Sequence, residues 1–204
     1  MNCMSLFKKS LLLVFILLFI DQAVKIWIKT HFTLGDGFNI FGNWAQINFV
    51  ENPGMAFGLK WGGNTGKLLL SSFRLIAITA LTWYLFSISK KRFPKIAVFS
   101  VALILTGAAG NILDSAFYGL IFSESTYHTV AQLFPPEGGY AGFLHGSVVD
   151  MFYFPMFRGI LPNWIPFYGG ENYTFFSPVF NVADSCITIG VTLVIIFRKR
   201  FIKK

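Results

Sequence analysis

Charged side chains are scarce in this chain of 204 residues, where Asp, Glu, Lys and Arg make up 13%. Ordinary soluble proteins carry about 25%. Hydrophobic residues reach 54%, and the mean hydropathy is +0.61. The net charge of +8 does not indicate nucleic-acid binding, because the basic residues cluster at the ends of apolar segments and the apolar content is too high. The composition therefore predicts a single membrane-embedded domain over residues 1–204.

Cysteine and histidine are also rare. The two cysteines are too few for a disulfide scaffold or a zinc site. Cys3 lies near the start of the chain and Cys186 in an apolar helix, which argues against a disulfide between them. The three histidines show no HExxH or other metal-ligand spacing. A zinc protease is therefore disfavoured, and we expect no metal site.

Long apolar runs are plentiful. A membrane-spanning helix needs about 20 mostly apolar residues, and four segments qualify, at about 10–28, 68–88, 96–117 and 179–197. A signal peptide is disfavoured for the first, because no small-residue cleavage site follows its apolar run. We therefore predict an all-α membrane protein with four transmembrane helices.

Basic residues fix the predicted orientation. They precede the first span, join the second to the third and follow the fourth, so four spans place every group on one side. The positive-inside rule makes that side, and both termini, cytoplasmic. Two outer loops follow, at about 30–67 and 118–178. Gly and Asn between short apolar runs predict a small extracytoplasmic β-like region in the first. The second is an extended loop rich in Pro, Gly and aromatic residues.

Polar residues gather in the outer half of the predicted membrane. A buried carboxylate is expensive, so acidic residues in apolar stretches indicate a functional site. The residues are Asp21, Asn111, Asp114, Asp150, Asn181 and Asp184. The pairs Asn111/Asp114 and Asn181/Asp184 are three apart, so each pair shares a helix face.

Several of these residues have plain structural interpretations. The spacing of Asp21 and Lys25 favours mutual neutralisation on one helix face over catalysis. For Asp114, a capping or orienting role near a helix end is favoured. Arg74 is expected to extend outward from its span.

Two further expectations concern helix ends and packing. Ser177-Pro178 is predicted to start the fourth helix, which puts Asp184 too far along for a capping role. The small residues of Gly107–Gly110 predict that a neighbouring backbone approaches the third helix closely.

Five motifs occur along the chain in a recognisable order. They are Asp21-Gln22-x-x-Lys25, the run 51–58 (ENPGMAFG), the run 107–114 (GAAGNILD), the run 148–152 (VVDMF) and the run 180–185 (FNVADS). On these motifs, over nearly its whole length, the chain resembles the bacterial lipoprotein signal peptidases. These are the aspartyl type II signal peptidases.

The resemblance implies Asp150 and Asp184 as the catalytic pair. It implies substrate-binding or dyad-supporting roles for Asn52, Gly54, Asn111, Asn181 and Ala183. Asp21, Lys25 and Asp114 are expected to be structural polar residues. No metal and no cofactor are implied.

The implied substrate is a prolipoprotein whose cysteine carries a diacylglyceryl group, cut just before that cysteine. The implied location is the bacterial inner membrane, with the active site toward the outer leaflet. We expect membrane lipid as a partner, no nucleic acid, and a monomer.

The chain departs from the family pattern twice. Ser115 stands where the family usually has Arg, and Asp150 lies 36 positions after Asp114, where the usual gap is short. An insertion at about 119–146 fills that gap, and its role is left open. A proton- or ion-coupled transporter is the main alternative function, and a non-enzymatic assembly factor is a third.

Overall fold

The computed structural model describes residues 4–53, 63–91 and 93–201. In chain order the elements are α1 (Leu6–His31), β1 (Gly37–Phe41), β2 (Ala45–Asn52), α2 (Gly63–Lys90), α3 (Lys95–Leu113), a π-helical turn (Asp114–Tyr118), α4 (Gly119–Ile121), β3 (Val148–Tyr153), β4 (Phe157–Ile160), β5 (Asn172–Phe175), β6 (Val179–Phe180), α5 (Val182–Ile196) and α6 (Arg198–Phe201).

Three helical segments in the described part of the chain are long and apolar enough to cross a membrane. They are Leu6–His31, Leu68–Lys90 and Lys95–Ile121. The expected apolar helical membrane protein is confirmed at this level. The fourth predicted span, 179–197, contains the 15-residue helix Val182–Ile196. At 1.5 Å per residue this helix is roughly 22 Å long, less than the hydrocarbon thickness of about 30 Å.

The start of α5 differs from the sequence prediction. Ser177-Pro178 does not cap it, because Val179–Phe180 pairs as strand β6 with β3 and the helix begins at Val182 behind Asn181. Val179 is β-branched and Phe180 is aromatic, so both extend the hydrophobic run of α5 toward the N-terminus although they form a strand. Hydropathy alone therefore placed the first residue of this helix too early in the chain.

The fold contains more strand than an all-α protein should. A four-stranded antiparallel sheet has the order β1-β2-β3-β6, and β4 and β5 form a separate hairpin. The first outer loop supplies β1 and β2, as the turn signals predicted. The second supplies β3, and β6 comes from the first two residues of the predicted fourth span, so the sheet joins strands from three predicted segments. Strand β2 alternates buried and half-buried residues over most of its length, which puts one face of the sheet on a core.

Helices α3 and α5 pack closely because two glycines line their contact. A Cβ on Gly107 would collide with the carbonyl of Ala183 and the side chain of Ile187. A Cβ on Gly110 would lie 2.7 Å from Asp21 Oδ2 and 3.0 Å from Ala183 Cβ. The predicted close approach is therefore confirmed, and it brings the start of α5 against α1 and α3.

Candidate active site

Asp150 lies on β3, one of the two inner strands of the sheet, opposite Val50 and beside an irregularity in the β2–β3 register. Its side chain is 4% exposed. Asn181 Nδ2 donates to Asp150 Oδ1 at 2.6 Å, and Asn52 on β2 donates a second side-chain hydrogen bond. Burial raises the pKa of Asp150 to about 7, and the charge of Asp184 acts in the same direction. The amide donors and the charge of Lys25 oppose this rise without cancelling it.

Asp184 lies in the first turn of α5 and belongs to a capping box. The side chain of Asn181 accepts from the Asp184 backbone N–H at 2.8 Å, and Asp184 Oδ2 accepts from the Asn181 backbone N–H at 3.3 Å. The expectation that Asp184 is too far along the helix to cap is therefore wrong. Asp184 caps the helix through Oδ2, and its other oxygen, Oδ1, accepts from Asn111 Nδ2 at 2.8 Å.

Two asparagines link the carboxylates of Asp150 and Asp184. Asn111 donates to Asp184, while its Oδ1 accepts from Asn181 Nδ2 at 3.1 Å. The same Asn181 nitrogen donates to Asp150. A chain of three hydrogen bonds therefore runs from one carboxylate to the other. Amide side chains can donate and accept without adding charge, which suits this position.

A buried ion cluster lies beneath the asparagines. Lys25 Nζ is 3.0 Å from Asp21 Oδ2 and 2.8 Å from Asp114 Oδ2, and all three side chains are fully buried. Lys25 also donates to Asn111 Oδ1 at 2.9 Å. Asp21 and Lys25 form the ion pair that their spacing predicted. Asp114 completes the cluster from the π-helical turn after α3.

The cluster also binds the backbone on either side of the site. Asp114 Oδ2 accepts from the N–H of Val149 at 3.2 Å, and Asp21 Oδ1 accepts from the N–H of Ala183 at 2.8 Å. Val149 directly precedes Asp150, and Ala183 directly precedes Asp184. The cluster therefore fixes the backbone that presents each carboxylate.

Gln22 is a site residue that belongs to the first motif but to which the sequence assigned no role. Its Nε2 donates to Asp114 Oδ1 at 2.9 Å, and its Oε1 accepts from Tyr118 Oη at 3.2 Å. A second polar residue directly after Asp21 in an apolar helix was the available signal. Gln22 supplies the donor that the second oxygen of Asp114 needs.

The insertion is held by a second ionic contact that the sequence did not predict. Lys29 pairs with Glu51 on β2, and Ser125 of the insertion bonds to both, at 2.8 Å in each case. Lys29 Nζ also lies 5.0 Å from the ring centroid of Tyr140. Lys29 follows Lys25 by one helical turn, so the α1 face that carries the first cluster carries this contact too.

Ser115 is buried beneath the end of the insertion. Its hydroxyl donates to the Asn111 carbonyl at 3.1 Å, and its own carbonyl accepts from the Gly146 N–H at 2.8 Å. It is 1% exposed. The insertion therefore packs directly over the position where the sequence departs from the family pattern.

Gly54 lies outside the described residues. Arg74 was expected to extend outward from its span. It is half-buried, and its charge interacts with Asp184, Asp114 and Asp150. A lone cation in an apolar helix was the sequence feature that could have indicated a role for Arg74. Which neighbours this helix face packs against depends on tertiary structure.

Comparison with known proteins gives consistent matches over most of the chain. The family described as signal peptidase (SPase) II matches residues 13–199. A lipoprotein signal peptidase of Porphyromonas gingivalis is 50% identical over 185 residues, covering 90% of this chain and 80% of the relative. One from Amoebophilus asiaticus is 35% identical over 188 residues, covering 91% and 75%.

Solved structures agree in fold. A bacterial membrane enzyme solved at 1.9 Å superposes with a TM-score of 0.57 at 25% identity, covering 93% of this chain and 91% of that structure. A second bacterial membrane enzyme, solved at 2.3 Å, gives a TM-score of 0.58 at 24% identity, covering 93% and 86%.

Proposed function

The chain belongs to the signal peptidase II family, and on this premise we propose that Asp150 and Asp184 are the catalytic pair of its aspartic endopeptidase activity. The observation that carries the proposal is the asparagine-bridged pair: two carboxylates on separate elements, joined through Asn111 and Asn181. Two interacting carboxylates share one proton more cheaply than both ionise.

Asp150 is the proton-holding member. It is almost fully buried, and its pKa of about 7 keeps it protonated in mildly acidic to neutral water. Asp184 is half-buried and lies at the start of α5, where the helix N-terminus and two N–H donors stabilise a negative charge. We assign Asp184 as the general base and Asp150 as the general acid.

The reaction then follows the chemistry of an aspartic protease. Asp184 takes a proton from water as the water oxygen bonds to the scissile carbonyl carbon, and Asp150 donates its proton to the carbonyl oxygen. The product is a tetrahedral diol. The C–N bond then breaks, the amine leaves with the proton that Asp184 received, and Asp150 recovers its proton from the diol. The titration belongs to the pair as a whole.

Asn52, Asn111 and Asn181 support the pair and the substrate. Asn181 and Asn52 donate to Asp150, and Asn111 donates to Asp184. Ala183 contributes through its backbone N–H, which binds Asp21. Gly54 retains the substrate-binding or dyad-supporting role implied by the resemblance. Asp21, Lys25 and Asp114 hold the architecture and do not take part in proton transfer.

The substrate that fits this family is a lipoprotein precursor. We propose the form whose cysteine is diacylglyceryl-modified, cut just before that cysteine by a monomer. We also propose that α5 serves as the fourth membrane helix, with both termini cytoplasmic and the dyad toward the outer leaflet of the inner membrane. The basic residues that begin α1, follow α2 and follow α5 support this orientation.

The transporter alternative is not favoured. A relay requires acidic groups spread along a path across the membrane, whereas Asp21, Asp114, Asp150 and Asp184 all join one connected network. Family membership points the same way. An assembly factor would have no use for two linked carboxylates.

The test is cleavage of a diacylglyceryl-modified precursor by the purified protein in detergent. The wild-type protein should release the signal peptide, and Asp150→Asn or Asp184→Asn should each lower the rate by about 10³-fold or more. Asp36→Asn is the matched control. Asp36 is exposed, and its Oδ1 bonds to the N–H of Gly37, so this variant should cleave at the wild-type rate.

Each variant should migrate in size-exclusion chromatography as the wild-type protein does. Near-normal cleavage by either dyad variant would disprove the assignment of that residue. Equal cleavage of precursors with and without the lipid would disprove the proposed substrate class.

A further inference from the structure

The candidate site carries more negative charge than Lys25 neutralises. Four carboxylates meet there, those of Asp21, Asp114, Asp150 and Asp184, and the proposed chemistry leaves one proton on the dyad. Lys25 contacts Asp21 and Asp114 directly. Uncompensated charge away from bulk water is costly, so a second cation facing the dyad would stabilise the site.

Helix α2 turns one face toward the site, and Arg74 lies on that face. Ser71, Arg74 and Ile78 are spaced i, i+3 and i+7, so they share one side of the helix. Ser71 is buried and its hydroxyl donates to the Leu144 carbonyl at 3.3 Å. Ile78 packs against the buried cluster of Ile112, Ala116 and Leu144. Contacts one turn before and one turn after Arg74 therefore hold this face against α3 and the insertion.

The charge of Arg74 reaches both members of the dyad. It interacts with the charges of Asp184, Asp114 and Asp150. These carboxylates come from α5, the π-helical turn and β3, and the contacts of Ser71 and Ile78 hold the Arg74 face of α2 toward this region. The side chain is half-buried, and a guanidinium keeps its charge in such a position.

We propose that Arg74 is a positioning residue for the peptidase reaction, whose guanidinium stabilises the single negative charge that the dyad carries. The proposal rests on the proposed function. In that chemistry the negative charge moves from Asp184 to Asp150 as the diol forms. A cation that faces both residues stabilises the charge before and after the transfer.

The test compares pH profiles of precursor cleavage for wild-type protein, Arg74→Gln and Arg74→Lys. A nearby cation favours the ionised form of a carboxyl group and lowers its pKa by about 1–3 units. Arg74→Gln should therefore move both limbs of the profile to higher pH by about one unit, and lower kcat by about 10-fold below neutral pH. Arg74→Lys keeps a charge and should restore the limbs and most of the rate.

Other titratable groups also face this region, and none of them is substituted in the variants that are compared. They are Asp21 and Lys25 on α1, Asp114 after α3, and His145 beside Leu144 in the insertion. Arg158→Gln is the matched control, because it removes the same charge from the exposed hairpin strand β4. Its profile should superimpose on that of the wild-type protein.

A structural role for Arg74 gives a different result. A uniform loss of rate at every pH, with unmoved limbs and no recovery in Arg74→Lys, would overturn the proposal, as would an Arg74→Gln profile identical to wild type. If Arg74→Gln does not fold, Arg74→Lys is the deciding variant. Because lysine keeps the charge, the proposal predicts that both limbs of its pH profile match those of the wild type. Displaced limbs would refute the proposal. Dependence of cleavage on Asp150 and Asp184 in the same assay tests the proposed function separately, so the two failures are distinguishable.

Discussion

Asn181 donates its side-chain amide to Asp150 across 2.6 Å while the oxygen of the same amide caps helix α5. One side chain therefore serves both the fold and the proposed chemistry. The oxygen satisfies the N–H of Asp184, and the nitrogen holds the carboxylate of Asp150. The two functions use different atoms, so a substitution can separate them.

Asn181→Ser should separate capping from dyad support. Serine caps helices about as well as asparagine, so the melting temperature should stay near that of the wild type. The variant loses the donor that stabilises the negative charge of Asp150 as the diol forms. A hydrogen bond to a charged group is worth about 1.5–3 kcal/mol, or roughly 10–100-fold in kcat. Asn181→Ala, which loses both functions, should also unfold earlier. Full activity in Asn181→Ser would show that the amide donor is dispensable.

The pH dependence of cleavage should report the pKa of Asp150. Burial and the charge of Asp184 raise this pKa to about 7, so the general acid is protonated below that pH and loses its proton above it. The rate should therefore fall as pH rises through about 7. The measurement is kcat against pH in detergent, with melting temperatures recorded at each pH to exclude unfolding. A rate that keeps rising to pH 9 would contradict the assignment of Asp150 as the acid.

Lys25→Met should destabilise the protein severely. It leaves the carboxylates of Asp21 and Asp114 buried without their cation, and breaking a buried ion pair in this way costs about 3–5 kcal/mol. Thermal unfolding of the detergent-solubilised protein measures the loss. Lys8→Met on the same helix is the control, because Lys8 is exposed. Equal melting temperatures for the two variants would mean that the cluster does not hold the fold.

Gly107→Ala should disturb the α3–α5 contact. The added methyl group meets the Ala183 carbonyl and the Ile187 side chain, and overpacking of this kind costs about 1–3 kcal/mol. Cleavage should also slow, since α5 carries Asp184. Gly142→Ala provides the comparison, because a Cβ there has no neighbour within 4 Å. If both variants have the melting temperature of the wild type, the close packing at Gly107 does not contribute to stability.

Sequence patterns predicted the parts of this fold that depend on local spacing. The Asp21–Lys25 pair follows from helical geometry, and the close approach at Gly107 follows from the absence of a side chain. The membrane class follows from composition. Each of these needs only neighbours along the chain, so no tertiary information was required.

Tertiary partners explain what the sequence did not predict. Val179–Phe180 is as apolar as a helix start, and only its pairing with β3 identifies it as a strand. The capping box was visible as Asn181 three residues before Asp184, but the misplaced helix start hid it. The direction of Arg74 depends on how the whole of α2 packs, which no local pattern encodes.

The attachment of Val149 to Asp114 and of Ala183 to Asp21 makes the proposed dyad depend on assembly of the whole fold. Each carboxylate of the dyad stands on its own element, and only docking of both elements onto the Lys25 cluster brings them into register. The geometry that the proposed chemistry requires therefore forms only when β3 and α5 have both docked onto α1 and α3.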